Sequence, residues 1–177
     1  KELCWETRYS HPSDALEYGL QALSLARQFE VYIEAAEILN FLGVIHRNVG
    51  DHATALEYFF SAQRVAEEYN IDRSLAYTFN NIGDIYNLEE NYTQALEYEL
   101  KALNAFEDLS DSLGISYCCH QLALVYTNLE EYAIALAYDT RAMNIREFQG
   151  NRAGVAYSLI SIGQDYLNLG KYDGSLE

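Results

Sequence analysis

A spacing of forty residues governs almost the whole chain. Leu16, Leu56, Leu96, Leu136 and Leu176 fall on it, as do Ala15, Ala55, Ala95 and Ala135. Tyr18, Tyr58, Tyr98 and Tyr138 keep the same beat, followed by Ala22, Ala62, Ala102 and Ala142. A second set marks the other half of each unit: Gly43, Gly83, Ala123 and Gly163, with His46, Tyr86, Tyr126 and Tyr166 three residues on. Stacked repeat arrays produce a fixed period of this size, because each unit buries its apolar face only against its neighbours. Such arrays present extended surfaces, so binding is the expected function and catalysis the exception.

Within a unit the apolar residues recur with the period of a helix. Ala35, Ile38, Leu39, Leu42, Ile45, His46 and Val49 form one stripe, and Ala55, Leu56, Phe59, Ala62, Val65 and Ala66 a second. Gly50–Asp51 separates them, and the turn recurs at Glu90–Asn91, Glu130–Glu131 and Gly170–Lys171. Each unit is therefore two antiparallel helices, A and then B, joined tightly. Polar breaks at Asn70–Ser74, Ser110–Gly114 and Gly150–Gly154 divide the units, with Asp72 or Ser74 and Asp111 or Ser112 as candidate N-caps.

The spacing predicts helices near 2–9, 13–28, 34–49, 52–69, 74–89, 92–108, 114–129, 132–147 and 154–169, and a tenth from 172. They group into units 1–31, 32–71, 72–111, 112–151 and 152–177 of a single repeat domain, the last unit incomplete. Ending there leaves an apolar face uncovered, which reads as a piece of a longer protein. Gly43, Gly83 and Gly163 fall mid-helix, where glycine costs about 0.5–1 kcal/mol relative to alanine. Their recurrence points to a close approach of the paired helix, beside Ala55, Ala95 and Ala135.

The order Leu42-Gly43…His46…Ala55…Ala62, repeated as Ile82-Gly83…Tyr86…Ala95…Ala102, resembles the tetratricopeptide repeat. The resemblance implies an all-α fold, a right-handed superhelical solenoid of stacked antiparallel helix pairs. Units of forty residues with no closing proline are similar to those of the kinesin light chain, the spindle-orientation scaffold proteins and the sensor regions of bacterial regulators. Asn81-Ile82-Gly83-Asp84-Ile85-Tyr86, Gly150-Asn151-Arg152-Ala153-Gly154-Val155-Ala156 and the opening Trp5-Glu6-Thr7-Arg8-Tyr9 look most like the bacterial group. One departure is Glu99 and Asp139, where the family has a bulky residue; Tyr98 and Tyr138 are expected to fill that space.

The family's A helices line a concave groove, and the glycine register assigns groove columns. These read Glu37, Tyr77, Tyr117, Tyr157; then Asn40, Asn80, His120, Ile160; then Val44, Asp84, Leu124, Gln164; then Arg47, Asn87, Thr127, Leu167. Asparagine amides match the backbone of an extended peptide without reading its sequence, and tyrosines add rigid amphipathic contact area. The expected peptide-binding set is Glu37, Asn40, Arg47, Tyr77, Asn80, Asp84, Asn87, Tyr117, His120, Thr127, Tyr157 and Gln164. The family's carboxylate-clamp lysine column holds Asn40, Asn80 and His120 here, which argues against binding of chaperone tails.

Charge and composition narrow the partner. A net charge of −16 argues against nucleic acid, whose phosphates would be repelled, and is compatible with a basic or amphipathic peptide or protein segment. No run of about 18 apolar residues suggests a membrane span and no leader suggests secretion, so a cytoplasmic location is expected. Cys4, Cys118 and Cys119 make a poor disulfide framework and read as small core residues. No histidine pair has zinc-binding spacing and no glycine loop could cradle phosphate, so no metal, cofactor or enzymatic role is expected. His46 and His52 occupy columns held elsewhere by tyrosine and read as packing residues. The expected function is non-catalytic peptide or protein recognition, as the sensory or scaffolding region of a bacterial intracellular signalling protein. The alternative is a self-association module, joined through its incomplete last repeat and with no groove ligand.

Overall fold

A computed structural model describes residues 12–170. Among them are eight α-helices and no strand: α1 (Pro12–Gln28), α2 (Tyr32–Asn48), α3 (His52–Glu68), α4 (Asp72–Leu88), α5 (Tyr92–Asp108), α6 (Ser112–Asn128), α7 (Tyr132–Phe148) and α8 (Arg152–Asn168). The expected helix near 2–9 and the one from 172 lie outside the described residues. Two compact units divide the chain, Lys1–Ile85 and Tyr86–Glu177.

Every described helix has 17 residues and starts twenty after the last, so the backbone repeats at half the side-chain period. The cause is a single connection used throughout. Its middle residue is left-handed at each turn: Glu30, Gly50, Asn70, Glu90, Ser110, Glu130, Gly150 and Gly170 all have φ between 52 and 81°. At Gly50 the amide donates to the Arg47 carbonyl and the next amide, Asp51, donates back to the His46 carbonyl. The same pair recurs from Ser110 to Glu107 and from Asp111 to Phe106, and again from Glu130 to Thr127 and from Glu131 to Tyr126. This is the Schellman closure, which satisfies carbonyls that a helix end leaves open.

The closure corrects the expected boundaries between units. The A helices α2, α4, α6 and α8 begin two residues earlier than the polar breaks suggested, because the connection is complete within three residues. Asp111 is an N-cap as expected, accepting from the Gly114 amide. Asp72 and Ser112 instead open their helices, and Ser74 is buried inside α4. Asp51, Asn91 and Asn151 cap in the same way, three residues before the amide they bind.

Packing in the first unit depends on close approach. Ala15, Ala35, Ala36, Ala55, Ala62 and Ala66 are buried around Leu39, Leu42 and Phe59. A Cβ added to Gly43 would lie 2.8 Å from Phe59 Cζ and closer still to the rest of that ring edge, so the glycine accommodates Phe59 and not Ala55. In the second unit, a Cβ on Gly114 would collide with the buried ring of Phe106. Carboxylates occupy the column of Phe59 here: Glu99 and Asp139 are buried, while Tyr98 and Tyr138 pack on Tyr86 and Tyr126 at 5.7 Å between ring centres. The tyrosines therefore do not fill that interior space; the carboxylates enter it.

Gly43→Leu should lower unfolding free energy by roughly 1–3 kcal/mol through overpacking against Phe59, as measured by urea denaturation. Ser110→Gly should act in the opposite sense. Relief of a left-handed non-glycine residue should raise stability by about 0.5–1 kcal/mol, seen as a higher midpoint with an unchanged slope.

Candidate functional site

The expected site residues lie on the A helices, and the structure sorts them into two kinds. In the first unit, Asn40 is 8% exposed and bonds across to α4. Its Nδ2 donates to Thr78 Oγ1 at 2.8 Å and to Ser74 Oγ at 3.3 Å, while Thr78 Oγ1 donates to the Ser74 carbonyl at 2.7 Å. Arg47 donates to Asp84 at 2.5 Å in a half-buried ion pair. Both contacts tie α2 to α4. Glu37, Tyr77 and Asn80 are half-buried on the same helices, with the Arg73 guanidinium 5.9 Å from the Tyr77 ring centre.

In the second unit the sorting is sharper. Tyr117 is 49% exposed on α6 and Tyr157 54% exposed on α8. His120 between them is 7% exposed, with Nδ1 2.9 Å from Asp139 Oδ1 and its ring meeting the Tyr157 ring edge-on at 5.0 Å. An interior histidine–carboxylate contact thus backs an exposed tyrosine. Thr127 donates to Asp165 at 3.4 Å, and Asn128 donates to Asn87 at 3.0 Å. Gln164 is exposed and donates along its own helix to Asn168.

Two buried groups were not anticipated. Asp165 stands in the column of Ile45, Ile85 and Val125, yet is 2% exposed with Oδ2 lacking a hydrogen bond. Burial, and then the charge of Asp139, push its carboxyl up to about 6. Arg146 stands in the column of Ala26, Ala66 and Phe106, and reaches Ser158 Oγ at 2.6 Å and the Ser116 carbonyl at 3.4 Å. The signal for both was available as a charged residue in an otherwise apolar column.

The remaining chemistry is structural. His46 packs on Tyr58 at 5.4 Å between ring centres, as the equivalent tyrosine pairs do. Cys118 and Cys119 are buried free thiols; burial pushes Cys119 up to about 11 and Cys118 higher, with Glu99 adding to the latter. Neither supplies thiolate at neutral pH. Among the described residues, no group of three His, Cys, Asp or Glu side chains could hold a metal ion, and no helix is long and apolar enough to cross a membrane.

Tetratricopeptide repeat family models match residues 34–108 and 116–147. The chain belongs to this family, and its fold is an all-α helical repeat solenoid. Similar solved structures include BtubC (BKLC) from P. vanneervenii, at 17% identity and TM-score 0.73, covering 98% of this chain and 82% of that one. A Rap protein complexed with Competence and Sporulation Factor is 20% identical with TM-score 0.82, over 92% of this chain and 45% of that chain. This chain therefore spans less than half of the Rap structure. A putative kinesin light chain from Podosopora anserina, with nearly identical repeats, is 12% identical with TM-score 0.75, over 99% and 87% of the two chains. No curated protein matches the sequence.

Asp165 gives a testable pH dependence. Its carboxyl is raised in the folded state above its ordinary 3.8, so the native protein holds the proton more tightly than the unfolded chain. Its contribution is complete below about pH 4 and is lost as pH rises through about 6. Unfolding free energies measured from pH 4 to 7 should decline across this window, and Asp165→Asn should flatten that part of the profile.

Proposed function

We propose that this chain is a non-catalytic peptide- or protein-binding repeat module whose A-helix faces receive the partner. The observation that carries the reading is the exposure of Tyr117 and Tyr157 in one column, while the polar groups behind them are hydrogen-bonded inward. Large side chains left at the surface above a layer of inward-bonded polar groups suit recognition. Glu37, Tyr77 and Asn80 in the first unit, and Tyr117, Tyr157 and Gln164 in the second, would touch the partner. Asn40, Arg47, Asp84, Asn87, His120 and Thr127 would hold those helices at the right spacing. The resident context proposed is the sensory or scaffolding region of an intracellular bacterial signalling protein. The likeness to a Rap structure complexed with Competence and Sporulation Factor supports that reading.

A diverse peptide library screened against the chain and its Tyr117→Ala/Tyr157→Ala variant tests this reading. Binders weakened about tenfold or more in the variant are expected. Binders indifferent to both substitutions would overturn it.

A further inference from the structure

The A-helix face of the second unit changes character along its length. Leu113, Tyr117 and Leu124 lie along α6 at helical spacing, each more than a third exposed, and Tyr157 and Gln164 run beside them on α8. No ionised side chain interrupts either row. The corresponding positions of the first unit carry Glu37 and the Arg47–Asp84 pair.

Beyond the C-terminal end of α6 the surface becomes negative. Glu90, Glu130 and Glu131 are exposed at the turns that follow α4 and α6. Glu131 occupies an N-cap position without making the capping bond, so its carboxylate is not committed to the helix it precedes. Glu90 and Glu130 lie where helices end, and a helix C-terminus adds about half a negative charge of its own, whereas Glu131 stands at the start of α7, where the dipole favours a carboxylate. A cation would complement the exposed pair Glu130 and Glu131.

An uncharged aromatic–aliphatic patch bordered by a doubly negative rim selects a particular partner. We infer that the second unit binds an extended segment carrying a bulky aliphatic or aromatic side chain together with a lysine or arginine. The apolar side chain rests on Tyr117, Leu124 and Tyr157, and the cation meets Glu130 and Glu131. The assignment rests on the peptide-binding reading and specifies its chemistry. Helical rise sets the spacing: Leu124 is roughly 9 Å and Tyr117 roughly 20 Å along the axis from Glu130. An extended chain advances about 3.3–3.6 Å per residue, so apolar and basic residues should stand about three to six positions apart.

Fluorescence anisotropy with three labelled nonapeptides tests this on the full chain. One has Leu-Trp followed five residues later by Lys-Arg, one has Glu-Glu in the basic place, and one has the basic pair but Ser-Ser for Leu-Trp. The first should bind at least about tenfold more tightly than either of the others. Its affinity should fall as salt is raised, and this dependence should shrink in Glu130→Gln/Glu131→Gln. Tyr117→Ala, with helicity confirmed by circular dichroism, should weaken it about tenfold. Equal or tighter binding of the acidic peptide, or affinity indifferent to salt and to the glutamine variant, overturns the assignment while peptide binding itself stands. Binding to none of the three, when library peptides do bind, likewise overturns it alone. Failure of every peptide, library included, overturns both.

Discussion

The distance between a B helix and its neighbouring A helices is set by which of them gives up a Cβ, and the rest of the structure depends on this. Phe59 fits because Gly43 is bare, and Phe106 because Gly114 is. Arg146 likewise lies against Gly154, where an added Cβ would be 3.0 Å from the arginine Cδ. Size on one helix and its absence on the next form complementary columns. Phe106 and Arg146 face Gly114 and Gly154, with the bulk on one side only. Interiors packed to crystal-like density permit such exchanges only in compensating pairs.

Polar substitution inside those columns follows the same logic with hydrogen bonds in place of volume. Asp139 stands in the column of Phe59, and His120 from the facing helix meets it. Arg146 enters another, and Ser158 and the Ser116 carbonyl answer. Asp165 is answered less fully, since Thr127 bonds one carboxyl oxygen and the other lacks a partner, and its carboxyl accordingly takes up a proton more readily. These interior groups fix where the surface tyrosines stand, since Tyr157 leans on His120. The exposed tyrosine and the core are therefore linked through a few side chains.

Much of the fold was legible because helix period and repeat period are both amplitude signals in the sequence: Leu16, Leu56, Leu96 and Leu136 recur whatever lies between them. Helix starts were less legible. Polar residues at Ser74 and Gly114 looked like breaks, yet the Schellman closure ends earlier and both residues lie within helices. Left-handed Glu30, Glu90 and Glu130 carry no glycine to announce them. For the candidate site, the columns placed Tyr117 and Tyr157 on exposed A-helix positions. Asn40 and His120 were assigned to a groove column but turn inward, because a single step around a helix separates surface from seam, and side-chain bonding decides which is taken.

The twenty-residue backbone beat beneath the forty-residue side-chain beat has a consequence for how such chains can lengthen. A duplication or loss of twenty residues would leave every helix end and turn in order, yet would set two helices of the same kind face to face. Glycine would then oppose glycine, and bulk oppose bulk. Only even multiples preserve both grammars. The geometry of the turn permits change in half-units, and the chemistry of the core restricts it to whole ones.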